Sequence, residues 1–261
     1  MVRVVESAST ELRVAEARAF VRGHLAHGEL LLVGASRSAA DDLARSVAIV
    51  HGATLGLHRF SLVQLAARLA APALAADRRS PATGPGTEAV AARATFESIR
   101  DGSLTYFGPV ARTPGFSRAL ARTLQELRLA HVSPSALASL PLGGADLFVL
   151  LDRFEREFDT ASATDRATLF AAAATAVSDD SRRNPLLGIP LVLLDVPFDS
   201  AAECGFLQTL IASSPRVLVT VPFGDISLPA VVHLNALRTV TCGCFPHLAK
   251  AANAWRSPGA S

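Results

Sequence analysis

Leu30-Leu-Leu-Val-Gly-Ala-Ser-Arg-Ser-Ala-Ala-Asp-Asp-Leu-Ala-Arg45 (LLLVGASRSAADDLAR) sets an unbroken apolar run against a glycine and then an alanine-rich stretch. The apolar run reads as a strand from about Leu30 to Ala35, buried on both faces as in a parallel sheet. The residues after the glycine read as a helix reaching about Val50. Ser38 with Asp41 three residues on resembles a capping pair, which puts the helix start inside the turn. Strand-to-helix turns of this kind hold dinucleotides or phosphates in many α/β proteins, because free N–H groups and the helix dipole both point at the loop.

The same order occurs upstream and downstream. Val2 to Val5 is a short apolar run followed by Glu6-Ser-Ala-Ser-Thr10 and a helix with Leu12, Ala15, Ala19 and Leu25 near one face. Leu57-His-Arg-Phe60 is a short strand, and Ser61-Leu-Val-Gln64 a capping box for a helix to about Ala76. Residues 77–87, with two prolines and two glycines, form a loop or boundary. From Glu88 to about Asp180 the periodicity is helical throughout: Glu88–Asp101, Thr113–His131, Gly144–Thr160 and Thr164–Val177. Strands return with Pro190-Leu-Val-Leu-Leu-Asp195 and Arg216-Val-Leu-Val-Thr-Val-Pro222. Between them Ser200-Ala-Ala-Glu203 is a capping box for a helix to about Ser213.

The expected architecture is α/β: a parallel sheet with helices on both faces, split by an all-helical insertion. Residues 1–80 hold the first part of the sheet domain, 81–185 the insertion and 186–228 the second part. Residues 229–261 carry the only lysine (Lys250), the only tryptophan (Trp255) and two of the three cysteines (Cys242 and Cys244). They show no clear period and read as an irregular tail, expected to be a truncation or frame-shift product.

Composition excludes several classes. Half of the 261 residues are apolar, enough for a substantial core, and the net charge of +2 names no partner. Three unevenly spaced cysteines make no disulfide framework, so a cytoplasmic location is expected, and no apolar run is long enough for a membrane span.

Cofactor chemistry meets specific obstacles. As a dinucleotide turn, the opening stretch has Ser38 and Ala40 where glycines would let backbone approach pyrophosphate, and Val110 stands where a Tyr106-x-x-x-Lys pair would need lysine. A P-loop ATPase needs a lysine at the phosphates, but no lysine precedes Lys250 and the loop ESASTEL has no glycine. Asp195 sits at a Walker B-like position, followed by Val196 where active enzymes usually carry a glutamate. His24 and His27 lack further ligands, and no nucleophile elbow occurs. No catalytic residue, nucleotide site, metal or cofactor is expected. Arg112, Arg118, Arg122 and Arg128 along one helical region, and Arg37, Arg59 and Arg68 near strand ends, read mostly as solvated or ion-paired, with some available to phosphate.

In succession, LLLVGASRSAADDLARSVA, GATLGLHRFSLVQLAARLA, YFGPVARTPGFSRALARTLQELRLAHVSP, DLFVLLDRFEREF and PLVLLDVPFDSAAECGFLQTLIASSPRVLVTVPFGD resemble the N-terminal helicase-like region of AddB/RexB-type proteins of the PD-(D/E)XK nuclease family. These are subunits of helicase-nucleases that process DNA double-strand ends in repair and recombination. The resemblance spans roughly residues 2–225 and implies a RecA-like (P-loop NTPase-type) sheet with a helical subdomain inserted before the Walker B strand. It implies DNA contact by Ser36, Arg37 and Ser38 in the turn after the second strand, with Arg59, Ser61 and Gln64 in a second motif. It further implies an ATPase-inactive DNA-binding or scaffold role beside a helicase subunit of AddA-like type. The nuclease domain and cluster cysteines of the family lie outside this sequence, so it reads as a fragment. A partner-docking module without DNA contact and a Rossmann-type nucleotide-binding enzyme are the alternatives.

Overall fold

The computed structural model describes residues 1–25, 28–180, 184–197 and 199–224. The tail expected at 229–261, and His27 with it, lie outside the described residues. In chain order the elements are β1 (Val2–Ser7), α1 (Thr10–Leu25), β2 (Leu30–Gly34), α2 (Arg37–His51), β3 (Leu57–Ser61), α3 (Leu62–Ala76), β4 (Ser80–Pro81), α4 (Gly84–Arg100), α5 (Phe116–Leu129), α6 (Pro134–Ala138), α7 (Gly144–Thr160), β5 (Ala163–Thr164), α8 (Arg166–Asp180), β6 (Leu191–Leu194), α9 (Ala201–Ser213) and β7 (Val217–Pro222). The chain divides into two compact units, one of residues 1–62, 188–197 and 214–224, the other of residues 63–180, 184–187 and 199–213.

The first unit is built on a five-stranded sheet in the order β1-β7-β6-β2-β3, parallel in every pairing. The apolar runs explain why these residues form it. Leu30 to Val33 and Leu191 to Leu193 are at most 1% exposed, as expected where both faces of a strand are buried. On one face, Val5, Leu30, Leu32, Val192, Leu194 and Leu218 pack with Ala17 and Val21 of α1 and Ala40, Leu43 and Val47 of α2. Burial of a Leu or Val side chain contributes about 1.5–3 kcal/mol, so this layer is a large source of the unit's stability.

Two local expectations are corrected. The buried stripe of α1 is Arg13, Ala17 and Val21, whereas Ala15 and Ala19 are exposed. A period-3.6 reading that counts only apolar residues skips this stripe because its first member is an arginine. Ser36, and not Ser38, is the N-cap of α2: its backbone is extended and its hydroxyl accepts from the Ala39 N–H at 3.1 Å.

In the second unit, α4, α5, α6 and α7 share a core in which Val90, Leu120, Leu124, Leu150, Leu151 and Phe154 meet. Phe170 of α8 stacks on Phe206 of α9 with ring centroids 5.8 Å apart. The run from Glu88 to Asp180 is not purely helical, because Ala163–Thr164 pairs with Ser80–Pro81 in a short parallel ladder. α4 starts four residues before Glu88, capped by Thr83, whose hydroxyl accepts from the Gly86 N–H at 3.2 Å. Of the capping box expected at α9 the N-cap half forms, the Glu203 N–H donating to Ser200 Oγ at 3.3 Å, but the Glu203 carboxylate accepts from the Ser200 hydroxyl at 2.9 Å in place of its backbone N–H.

Candidate functional site

All five strands of the sheet run the same way, so their carboxyl ends form one rim. The chain leaves β2 toward β3 on one side and leaves β6 toward β7 on the other. The gap between the ends of β2 and β6 is therefore a topological switch point, the usual ligand crevice of an open α/β sheet. The Ala35 N–H donates to the Leu194 carbonyl at 2.9 Å across that junction.

Asp195 follows β6 on this rim, and its carboxylate is taken. Arg13, 5% exposed, donates from Nε to Oδ1 at 2.9 Å and from Nη2 to Oδ2 at 3.0 Å, a bidentate fork. The same guanidinium donates to the Ser7 carbonyl at the end of β1 and to Thr10 Oγ1. Thr220 of β7 adds a third bond to the carboxylate, its hydroxyl donating to Oδ1 at 2.7 Å, and accepts from the Asp195 N–H at 3.0 Å. Asp195 itself stands at φ 49°, a left-handed conformation that costs a non-glycine residue about 1 kcal/mol or more and persists only where its surroundings fix it. Arg13 thus ties the end of β1 to Asp195 after β6, and Asp195 in turn ties to Thr220 of β7.

The loop between β1 and α1 is closed by its own side chains. The Ser9 N–H donates to Ser7 Oγ at 3.1 Å, and Ser9 Oγ accepts from the Leu12 N–H at 3.2 Å. No backbone nest of the glycine-rich kind forms there. Sequence reading missed Arg13, and its one signal was an arginine in register with Ala17 and Val21.

At the other side of the rim, five of the expected DNA-contact residues gather in the first unit. Ser36 and Ser38 share a hydroxyl–hydroxyl bond of 2.9 Å. Arg37 donates from Nε to Asp41 at 3.1 Å and from Nη1 to the Arg59 carbonyl at 2.6 Å, while Arg59 pairs with the same Asp41 at 3.2 Å. One carboxylate is therefore shared by two guanidiniums whose side chains are 43% and 41% exposed, leaving the cluster net positive. Ser61 ends β3 opposite Gly34 of β2. Gln64, exposed in the first turn of α3, belongs to the second unit.

Gly34 sets this geometry. A Cβ there would stand 2.8 Å from the Ser36 carbonyl oxygen and 2.9 Å from the Ala40 nitrogen, both backbone atoms, so only glycine lets α2 start this close to β2. The arginines of the helical region separate by pairing. Arg118 meets Glu88, and Arg122 meets Glu126. Arg128 sits among Asp165, Glu155 and Thr168. Arg112 lies before α5 and is exposed.

Burial alone pushes the Asp165 carboxyl up, but hydrogen bonds from Arg128 and Thr168 outweigh it and hold the group below the usual carboxylate range. Among the described residues, no three His, Cys, Asp or Glu side chains gather into a metal-holding group, and no helix is long and apolar enough to cross a membrane. No protein-family model and no curated protein matches the chain.

Proposed function

We propose that this chain is an ATPase-inactive, helicase-like region that holds DNA within a double-strand-end-processing helicase-nuclease of AddB/RexB type, beside a helicase subunit of AddA-like type. The observation that carries the reading is the Arg13–Asp195 fork. An active P-loop ATPase keeps its Walker B carboxylate free for magnesium and brings a lysine to the phosphates. Here both carboxylate oxygens of Asp195 are bonded by a buried arginine on the helix where that lysine would be sought. A metal–nucleotide complex would have to break a bidentate buried ion pair, so the rim is built to keep its shape without nucleotide.

The RecA-like form of the reading draws support from the adjacency of β1, β7 and β6, which sets the first loop, the Walker B-like aspartate and the last strand side by side. The run of helices that separates β3 from β6 in the chain supports the inserted subdomain that the resemblance implies. DNA enters at the other side of the rim. Arg37 and Arg59, held on the strand ends and sharing Asp41, offer charge to successive phosphates, with the hydroxyls of Ser36 and Ser38 beside them. Contacts of this kind give affinity and salt dependence without sequence reading.

Binding of fluorescent single-stranded and forked DNA, titrated against salt, tests the reading. Binding that weakens with rising salt supports it. Negligible binding of both at low salt removes the DNA role.

A further inference from the structure

We infer that Asp41 is a positioning residue for DNA: it holds the guanidiniums of Arg37 and Arg59 side by side, so that removing this negative charge weakens DNA binding. The inference rests on the DNA-holding reading above, and it adds a residue that itself offers phosphate nothing.

Long-range charge alone points the other way. A carboxylate on a DNA-binding face repels phosphate, so its removal should tighten binding. The contacts of Asp41 decide otherwise. Both of its oxygens accept from Arg37 Nε, Oδ1 at 3.2 Å and Oδ2 at 3.1 Å, and Oδ1 lies 3.2 Å from Arg59 Nη1. Arg37 and Asp41 are one turn apart on α2, whereas Arg59 comes from β3. Arg37 closes the triangle by donating from Nη1 to the Arg59 backbone carbonyl at 2.6 Å. The carboxylate is therefore a joint between the start of a helix and the end of a strand, both in the first unit.

The joint leaves donors to spare. A guanidinium carries five N–H groups. Among the described residues, Nη2 of Arg37 and both Nε and Nη2 of Arg59 meet no acceptor. The Asp41 side chain, 31% exposed, is also more covered than either arginine, so an approaching strand meets more of the cations than of the anion.

Magnitudes favour positioning. A long side chain that is immobilised only on binding costs about 2- to 10-fold in affinity, and two are held here in advance. Repulsion between exposed unit charges is worth about 5-fold at 4 Å in water and is screened beyond about 8 Å at physiological salt. Salt removes the repulsion and leaves the positioning.

α2 also contains a matched control. Asp42, next in the chain, is exposed and pairs with Arg45 at 2.6 Å, not with the rim arginines. Its removal changes the formal charge of the same helix by the same amount.

Fluorescence anisotropy with the full chain and a single-stranded oligothymidylate, at about 150 mM salt, tests the inference on wild type, Asp41→Ala, Asp41→Glu, Asp42→Ala and Arg37→Glu. Alanine is the best helix former, so both alanine variants keep α2. Asp41→Ala should weaken binding about 3- to 20-fold, and Asp41→Glu, which keeps a carboxylate, should recover part of that loss. Asp42→Ala should bind as well as wild type or better. Undiminished binding by Asp41→Ala, with Arg37→Glu still weakened, overturns the positioning role and leaves the DNA reading intact. Equal losses in Asp41→Ala and Asp42→Ala, or a loss that Asp41→Glu does not relieve, also overturn it. Failure of wild type to bind the oligothymidylate even at low salt removes both.

Discussion

Arg13 and Asp195, 182 positions apart, meet in a two-pronged ion pair of 2.9 and 3.0 Å at the carboxyl end of the sheet, with the arginine almost wholly buried. Removing one member leaves the other charge stranded. Asp195→Ala should lower the unfolding free energy by about 3–5 kcal/mol, and the double variant Arg13→Met, Asp195→Leu should recover much of that loss. A double-mutant cycle by urea unfolding checks this. Additive single losses would show that the two side chains do not act as a pair.

Gly34→Ala places a methyl carbon against two backbone atoms that cannot rotate away. An overpacking cost of about 1–3 kcal/mol is expected in urea unfolding. Because the shift falls on the first turn of α2, DNA affinity should drop in the folded variant, although position 34 offers no side chain to DNA. Wild-type stability in Gly34→Ala would mean that α2 starts further from β2.

Arg37→Glu replaces one of two cations that share Asp41 and puts a second carboxylate beside it. DNA binding should weaken, and the slope of log affinity against log salt should become shallower by about one for each phosphate the protein no longer neutralises. Thermal stability should hardly change, since exposed ion pairs contribute about 0–1 kcal/mol. An unchanged slope would reduce Ser36 and Arg37 to a helix cap and its neighbour.

The lowered pKa of Asp165 has a definite sign. Its ionised form is favoured more in the folded chain than in the unfolded one, so its stabilisation is fully present above the ordinary carboxylate value of about 4. It is lost as pH falls from there through the lower folded value. Asp165→Asn should remove that part of the acid sensitivity and cost about 1–3 kcal/mol at neutral pH, because Arg128 keeps some solvent access. Urea unfolding at pH 3 and pH 7 reads both effects. An unaltered pH dependence would place the acid sensitivity in other carboxylates.

The sheet was largely legible because its signals are local. Runs such as Leu30 to Val33 and Leu191 to Leu194 bury both faces, and the glycine after the first run marks its turn. Strand order was not legible, since nothing in β7 says that it lies between β1 and β6. Of the candidate site, Arg37 and Arg59 could be picked out as cations near strand ends, but Asp41 looked like a helix-cap partner until the fold set it between them. Arg13 was hidden for a stronger reason. An arginine on a buried helix face makes sense only with its carboxylate, and Asp195 arrives from the far end of the sequence. Likewise the two-residue ladder of Ser80–Pro81 with Ala163–Thr164 is too short to leave a period.

DNA held without any need for nucleotide is read out by the anisotropy of a fluorescent single-stranded oligonucleotide, titrated at several salt concentrations with and without magnesium-ATP. Salt-dependent binding with superimposable curves in both conditions is the predicted result. No binding at low salt, or an affinity that magnesium-ATP changes, would contradict it.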